Sequence, residues 1–177
     1  MTSEDQHDVL FRLSDVDDFD QLMGRWSALI ARAPYGVDSV VALWRESSTY
    51  YENKLIAASS ALEALDRGLH GDHGLGGRGP SYAARCAKLI AIPDPEAVRM
   101  LVGDPDQWAT DMKKARNDLA HGYPPDERKT PAGVWYALKD GCRAVLALVL
   151  MAELGLPPEI QRRAVKIGGL RRCSHAR

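Results

Sequence analysis

The stretch KKARNDLAHGY, residues 113–123, places Arg116, Asn117, Asp118 and His121 within six positions at the tail of an amphipathic segment. Arginine stays charged and grips anionic oxygens two at a time. Histidine exchanges protons near neutrality. The pair therefore suits proton transfer beside a bound anion. At 100° per residue Arg116 stands beside the apolar line Trp108, Met112, Ala115 and Leu119. Its stem can lie along that line while the guanidinium reaches outward. Lys113, Asn117 and His121 form a separate row at four-residue spacing. On a regular helix Arg116 and His121 are about 140° apart, so they meet only if the helix ends near His121. Gly122 and Tyr123-Pro124-Pro125 supply the residues for such an end.

Each residue also has a plainer reading. Arg116 can tie two helices by pairing with an acidic residue such as Glu63. His121 can bond the spare carbonyls of a helix end, and Asn117 can help that end or orient His121. Asp118 reads as a solvated residue, and Tyr123 can pack against the Pro-Pro turn. His70 and His73 make an H-x2-H pair, but only Asp72 stands by as a further ligand, so no metal site and no cofactor is expected. GLGGRGP follows no strand and lacks a phosphate loop's Lys-Ser/Thr, so it reads as a loop.

These residues need a scaffold, and the scaffold reads as all-α. Strand alternation and hairpin turns are absent. Phe19, Leu22, Met23, Trp26, Leu29 and Ile30 make one helical stripe; Val37, Val40, Val41 and Trp44 make a shorter one. Tyr51, Leu55, Ala58, Leu62, Leu65 and Leu69 alternate four- and three-residue steps, the spacing of a bundle helix, with Ser47 or Ser48 as candidate caps. A helix follows Pro80 with Tyr82, Cys86, Leu89 and Ile90 inward, and a short one spans 94–103. Asp104 caps the next, with Pro105 at its first position. A long helix over about 131–154 runs through Trp135, Leu138, Cys142, Val145, Val149 and Ala152, and Gly155 stops it. The four tryptophans, Trp26, Trp44, Trp108 and Trp135, fall at core spacing.

The expected architecture is one antiparallel helical bundle of four to five main helices over residues 18–155. An acidic, disordered N-terminus over 1–17 precedes it, and a short basic helix and tail over 156–177 follows. With 45% apolar and 27% charged residues the chain is composed like an ordinary globular protein. Three widely spaced cysteines and a start without a signal peptide's features point to the cytoplasm, and no apolar run is long enough for a membrane span. The net charge of −1 gives no global pull on nucleic acid, but the basic tail offers arginines for phosphates.

RNDLAH is an R-x4-H motif near the end of a bundle helix, and it resembles the signature of HEPN domains. The upstream stretch, FDQLMGRWSALIARAPYGVDSVVALWRESSTYYENKLIAASSALEAL, resembles the helical domain of ApeA-like HEPN proteins. The likeness covers roughly residues 18–155. It implies a metal-independent endoribonuclease, active as a homodimer in which two R-x4-H motifs share a cleft, serving anti-phage defence. Arg116 and His121 match the family's catalytic pair, Asn117 the polar residue after the arginine, and Glu63 a recurrent acidic position. RNDLAHGY also fits R-x4-H-x-Y, which resembles HepT toxins; Tyr123 is then a site of modification or substrate contact, and an antitoxin is a partner. The chemistry is coherent. RNA cleavage without a metal needs a base for the 2′-hydroxyl, an acid for the 5′-oxygen and a cation for the phosphorane. Its products are a 2′,3′-cyclic phosphate and a 5′-hydroxyl. The alternative is a non-catalytic HEPN module for RNA or nucleotide binding, or for dimerisation.

Overall fold

The computed structural model describes residues 10–45, 50–71, 79–122, 132–167 and Leu170. Its helices are α1 (Phe19–Arg32), α2 (Pro34–Arg45), α3 (Tyr51–His70), α4 (Tyr82–Ile90), α5 (Pro95–Val102), α6 (Pro105–Ala120), α7 (Ala132–Glu153) and α8 (Pro158–Ile167). Among the described residues there is no strand.

Local chemistry sets most of the helix ends. Asp18, Ser81, Asp94 and Asp104 each cap a helix start by accepting backbone N–H groups of the first turn. Pro95 and Pro105 follow two of these caps, where a missing N–H is harmless. Helix α3 begins after Tyr50, whose side chain makes no capping bond; Ser47 and Ser48 lie outside the described residues. It ends on Gly71 at φ +66°, a left-handed position that suits glycine.

The core is built around α3 and α7. Leu55, Leu62 and Leu65 of α3 meet Leu89 of α4, Met112 of α6, and Trp135, Leu146, Leu148 and Met151 of α7, all nearly or wholly shut off from water. Each such side chain contributes about 1.5–3 kcal/mol of transfer free energy. Helices α3 and α7 run in the same direction: Tyr51 packs on Trp135 and Tyr136 near their starts, and further along the Cys142 thiol donates to the Ala58 carbonyl. Helix α2 lies very close to α3. A Cβ on Gly36 would stand 2.6 Å from the Leu65 Cα, and one on Gly68 would stand 2.4 Å from the Ala33 Cβ.

The outer helices depart from the sequence reading. In α1 only Leu29 is buried, while Phe19, Met23 and Ile30 are exposed. Part of that face, at Leu22, Met23 and Trp26, lines an apolar groove together with Leu10 and Phe11. Trp108 and Trp135 are core residues, but Trp44 is 42% exposed and lies under the Arg143 guanidinium, 4.1 Å from its ring centre. Residues 10–17 do not form the disordered tail expected of them. Leu13–Asp15 make a 3-10 turn, Leu10, Phe11 and Val16 pack against the core, and Asp15 pairs with Arg163 of α8. Nor are the basic residues of α8 all offered outward: Arg162 bonds Asp94 at 3.0 Å, beside Arg163 on Asp15.

Candidate functional site

Helix α6 carries the R-x4-H residues, and its seat is fixed by Trp108, Ala109, Met112 and Ala115, all buried. Arg116 follows Ala115 on the edge of that buried face, as the helical register predicts. Its guanidinium points to the junction of three helices. One Nη lies 3.6 Å from a Glu63 carboxylate oxygen on α3. Its Cζ stands 5.8 Å from the centre of the Tyr82 ring on α4. The other Nη is 3.5 Å from the Asn117 Oδ1, at the limit of a hydrogen bond.

The pairing of Arg116 with Glu63 is thus present, but loose. The arginine side chain is 40% exposed and the glutamate 23%. A partly solvated pair at this separation contributes about 0–1 kcal/mol. The guanidinium keeps donors for an anion arriving from solvent. Tyr82 is the stiff floor beneath it. The ring is buried and its hydroxyl donates weakly to the Ser59 carbonyl at 3.5 Å. Burial, before any neighbouring charge, pushes the phenol well above its usual pKa, so it stays neutral.

His121 is the C-cap of α6, with φ −93° and ψ 3°, and is exposed. Its N–H donates to the Asn117 carbonyl at 3.0 Å, and Gly122 follows at φ +67°. The helix therefore ends where the sequence placed its end, and His121 sits at the carbonyl end of the dipole. Tyr123 lies outside the described residues. Asp118 pairs with Lys114 along the helix surface. The structure thus gathers Arg116, Asn117 and Glu63 into one cluster and sets His121 at the helix end beyond it.

The sequence reading missed a second cluster beside the first. Asp66, one turn beyond Glu63 on α3, is wholly buried and bonds Arg85 of α4 at 2.6 Å. Arg85 is also buried and lies one turn beyond Tyr82. The signal was present: Asp66 falls at a core position one helical step after Leu65, and Arg85 falls between Tyr82 and Cys86. Opposite charges at core positions of successive helices mark a buried pair. His70 completes the group, its Nδ1 2.9 Å from the Asp66 Oδ1. His73, its H-x2-H partner, lies outside the described residues. Among the described residues no three His, Cys, Asp or Glu side chains are placed to hold a metal.

A family model described as Apea-like HEPN matches residues 47–160, well over half of the chain. The chain belongs to the Apea-like HEPN family. The matched span holds α3 to α7, and with them Glu63, Asp66, Tyr82, Arg85, Arg116 and His121. Helices α1 and α2 precede it. HEPN membership points to a nuclease or RNA-binding function of the defence type. No curated protein and no solved structure matches the chain. No helix among the described residues is long and apolar enough to cross a membrane.

Proposed function

We propose that this HEPN domain is a metal-independent endoribonuclease, active as a homodimer, in which Arg116 holds the scissile phosphate and His121 transfers protons. The observation that carries the reading is the state of Arg116. It is seated against a buried aromatic ring, joined to one carboxylate by a loose contact and 40% open to solvent. An arginine serving only as a tie between helices would be closed in by its partner. Here one edge of the guanidinium is steadied while the rest is available to phosphate oxygens.

Glu63 orients the guanidinium, and Asn117 supports it. One chain contributes one His121, while acid and base steps call for two groups. An isologous dimer brings a second copy of the motif to the same cleft. Attack by the 2′-oxygen and departure of the 5′-oxygen then give a 2′,3′-cyclic phosphate and a 5′-hydroxyl. The domain acts in anti-phage defence or beside an antitoxin, in the cytoplasm.

The test is cleavage of end-labelled single-stranded RNA by the pure protein in EDTA. Native protein is expected to cut, leaving cyclic phosphate ends. The H121A variant loses about 10²–10⁴-fold in rate. The R116A variant loses about 10²–10³-fold, and both remain dimers by light scattering. RNA retained by the native protein without cleavage points instead to the non-catalytic binding module. Cleavage that EDTA abolishes, or that survives in H121A, sinks the mechanism.

A further inference from the structure

The Asp66 cluster is a costly way to hold a residue at the surface. A buried carboxylate loses several kcal/mol of solvation unless it is paired and hydrogen-bonded. Asp66 is bonded on both sides: Oδ2 accepts from Arg85, and Oδ1 faces His70 Nδ1. The Asp66 carbonyl lies 3.2 Å from that same Nδ1. Both partners of Nδ1 are acceptors only, so Nδ1 carries a hydrogen, and in the neutral form of the ring the lone pair is on Nε2. The His70 side chain is 32% exposed. A solvated histidine at a helix end needs no such anchoring. The cluster fixes both the tautomer and the direction of the ring.

Helical geometry gives the ring its setting. On α3, Arg67 and His70 follow Glu63 by four and seven residues. They stand about 40° to one side of Glu63 and about 20° to the other, with His70 about 10 Å further along the axis. Glu63 is the carboxylate that steadies Arg116. The exposed surface running from Arg116 toward the end of α3 is therefore marked by an exposed cation, Arg67, and then by an oriented acceptor, His70 Nε2.

We propose that Arg67 and His70 form a subsite for the nucleotide next to the one held by Arg116, with Arg67 on its phosphate and His70 Nε2 accepting from its ribose 2′-hydroxyl. The subsite rests on the ribonuclease reading and adds to it a preference for ribose over deoxyribose. The 2′-hydroxyl is the group by which a protein tells RNA from DNA at a given position.

The experiment measures binding in the H121A background, so that RNA is not consumed. The probes are a labelled single-stranded RNA octanucleotide, the DNA octanucleotide of the same sequence, and an RNA dinucleotide as competitor. H70A is expected to weaken RNA octanucleotide binding roughly fivefold, the size of one neutral hydrogen bond, and to leave DNA and dinucleotide binding unchanged. R67A is expected to weaken both octanucleotides and to flatten the salt dependence by about 0.7 in log–log slope. Melting curves check the fold. If H70A unsettles Asp66, H70Q keeps a donor toward it, and R67A tests the same subsite independently. Unchanged RNA octanucleotide affinity in H70A and R67A overturns the subsite alone, as does an equal loss on the dinucleotide. Absence of RNA binding by both native protein and H121A overturns the subsite together with the ribonuclease reading.

Discussion

At the scale of single residues, Arg116 depends on a side chain that does not belong to the motif. A guanidinium over an aromatic face gains about 0.5–1 kcal/mol when exposed and more when dry, and a rigid ring also limits where the arginine can swing. Tyr82 supplies that face from α4. Its hydroxyl bond to Ser59, at 3.5 Å, is weak. The ring should therefore matter more than the hydroxyl. Tyr82→Phe is expected to keep cleavage within about threefold of native, whereas Tyr82→Leu keeps an apolar side chain but lowers cleavage about tenfold, the effect of roughly 1.4 kcal/mol in positioning. Initial rates on a single RNA substrate decide it; equal rates for the Phe and Leu variants would remove Tyr82 from the site. Arg116, Asn117 and His121 were readable as a group because they are neighbours in sequence. Glu63 was readable only through resemblance and as one example of an acid able to pair with Arg116. Tyr82 was read as a core residue, which it is; its second face toward Arg116 comes from the crossing of α4 and α6, which periodicity does not encode.

At the scale of elements, the helices were legible wherever one apolar stripe met one core. The stripes of α3, α6 and α7 are buried much as their spacing implies. Helix α1 shows the limit: its stripe is as regular, yet only Leu29 is buried, because periodicity gives the direction of a face and not what covers it. Glycines carry another part of the fold that composition hides. Gly36 and Gly68 let α2 and α3 approach so closely that an added methyl group would overlap backbone or Cβ atoms. Gly24, in the middle of α1, has nothing within 4 Å of the same methyl position. The same substitution should thus act in opposite directions. Gly36→Ala is expected to destabilise by about 1–3 kcal/mol, as overpacking does. Gly24→Ala is expected to stabilise by about 0.5–1 kcal/mol through helix propensity. Urea unfolding midpoints at constant slope report both. A Gly36→Ala protein as stable as native would mean that α2 can slide on α3. The buried Asp66–Arg85 pair belongs to this scale as well, since it locks α3 to α4. Asp66→Asn alone is expected to cost about 3–5 kcal/mol, with the double replacement Asp66→Leu, Arg85→Met recovering much of it. A double variant no better than the single one would show that the pair contributes more than mutual charge compensation.

At the scale of the whole molecule, the turn before α1 is joined to α8. Asp15 pairs with Arg163 across nearly the full sequence, and Leu10 and Phe11, just before its turn, help to line an apolar groove. That groove is lined by Leu22 and Trp26 of α1 and by Leu150, Met151 and Leu154 at and just beyond the end of α7, with a volume of about 370 Å³. The sequence assigned residues 1–17 to a tail because their charge is so acidic; it does not show that one of those acids has a basic partner 148 positions away. The Arg163 side-chain bond, and then the Arg12 backbone N–H, hold the Asp15 carboxyl below its ordinary value of 3.8. A group whose pKa is lower in the folded state stabilises that state above its unfolded pKa, and the contribution fades as pH falls through the folded value. The clasp is therefore expected to be whole at neutral pH and to weaken as the pH falls below 3.8 toward the folded value. Because Leu10, Phe11 and Val16 are only half-buried, the release should be local and should precede global acid unfolding. Amide exchange of residues 10–17, followed from pH 6 to pH 3 and corrected for intrinsic rates, should lose protection ahead of α3 and α7. Asp15→Asn should show the open behaviour at pH 6 already, with little further change on acidification. Protection that is lost in step with α3, or an Asp15→Asn protein still protected at pH 6, would mean that apolar contact of Leu10 and Phe11 secures the segment and the ion pair only decorates it.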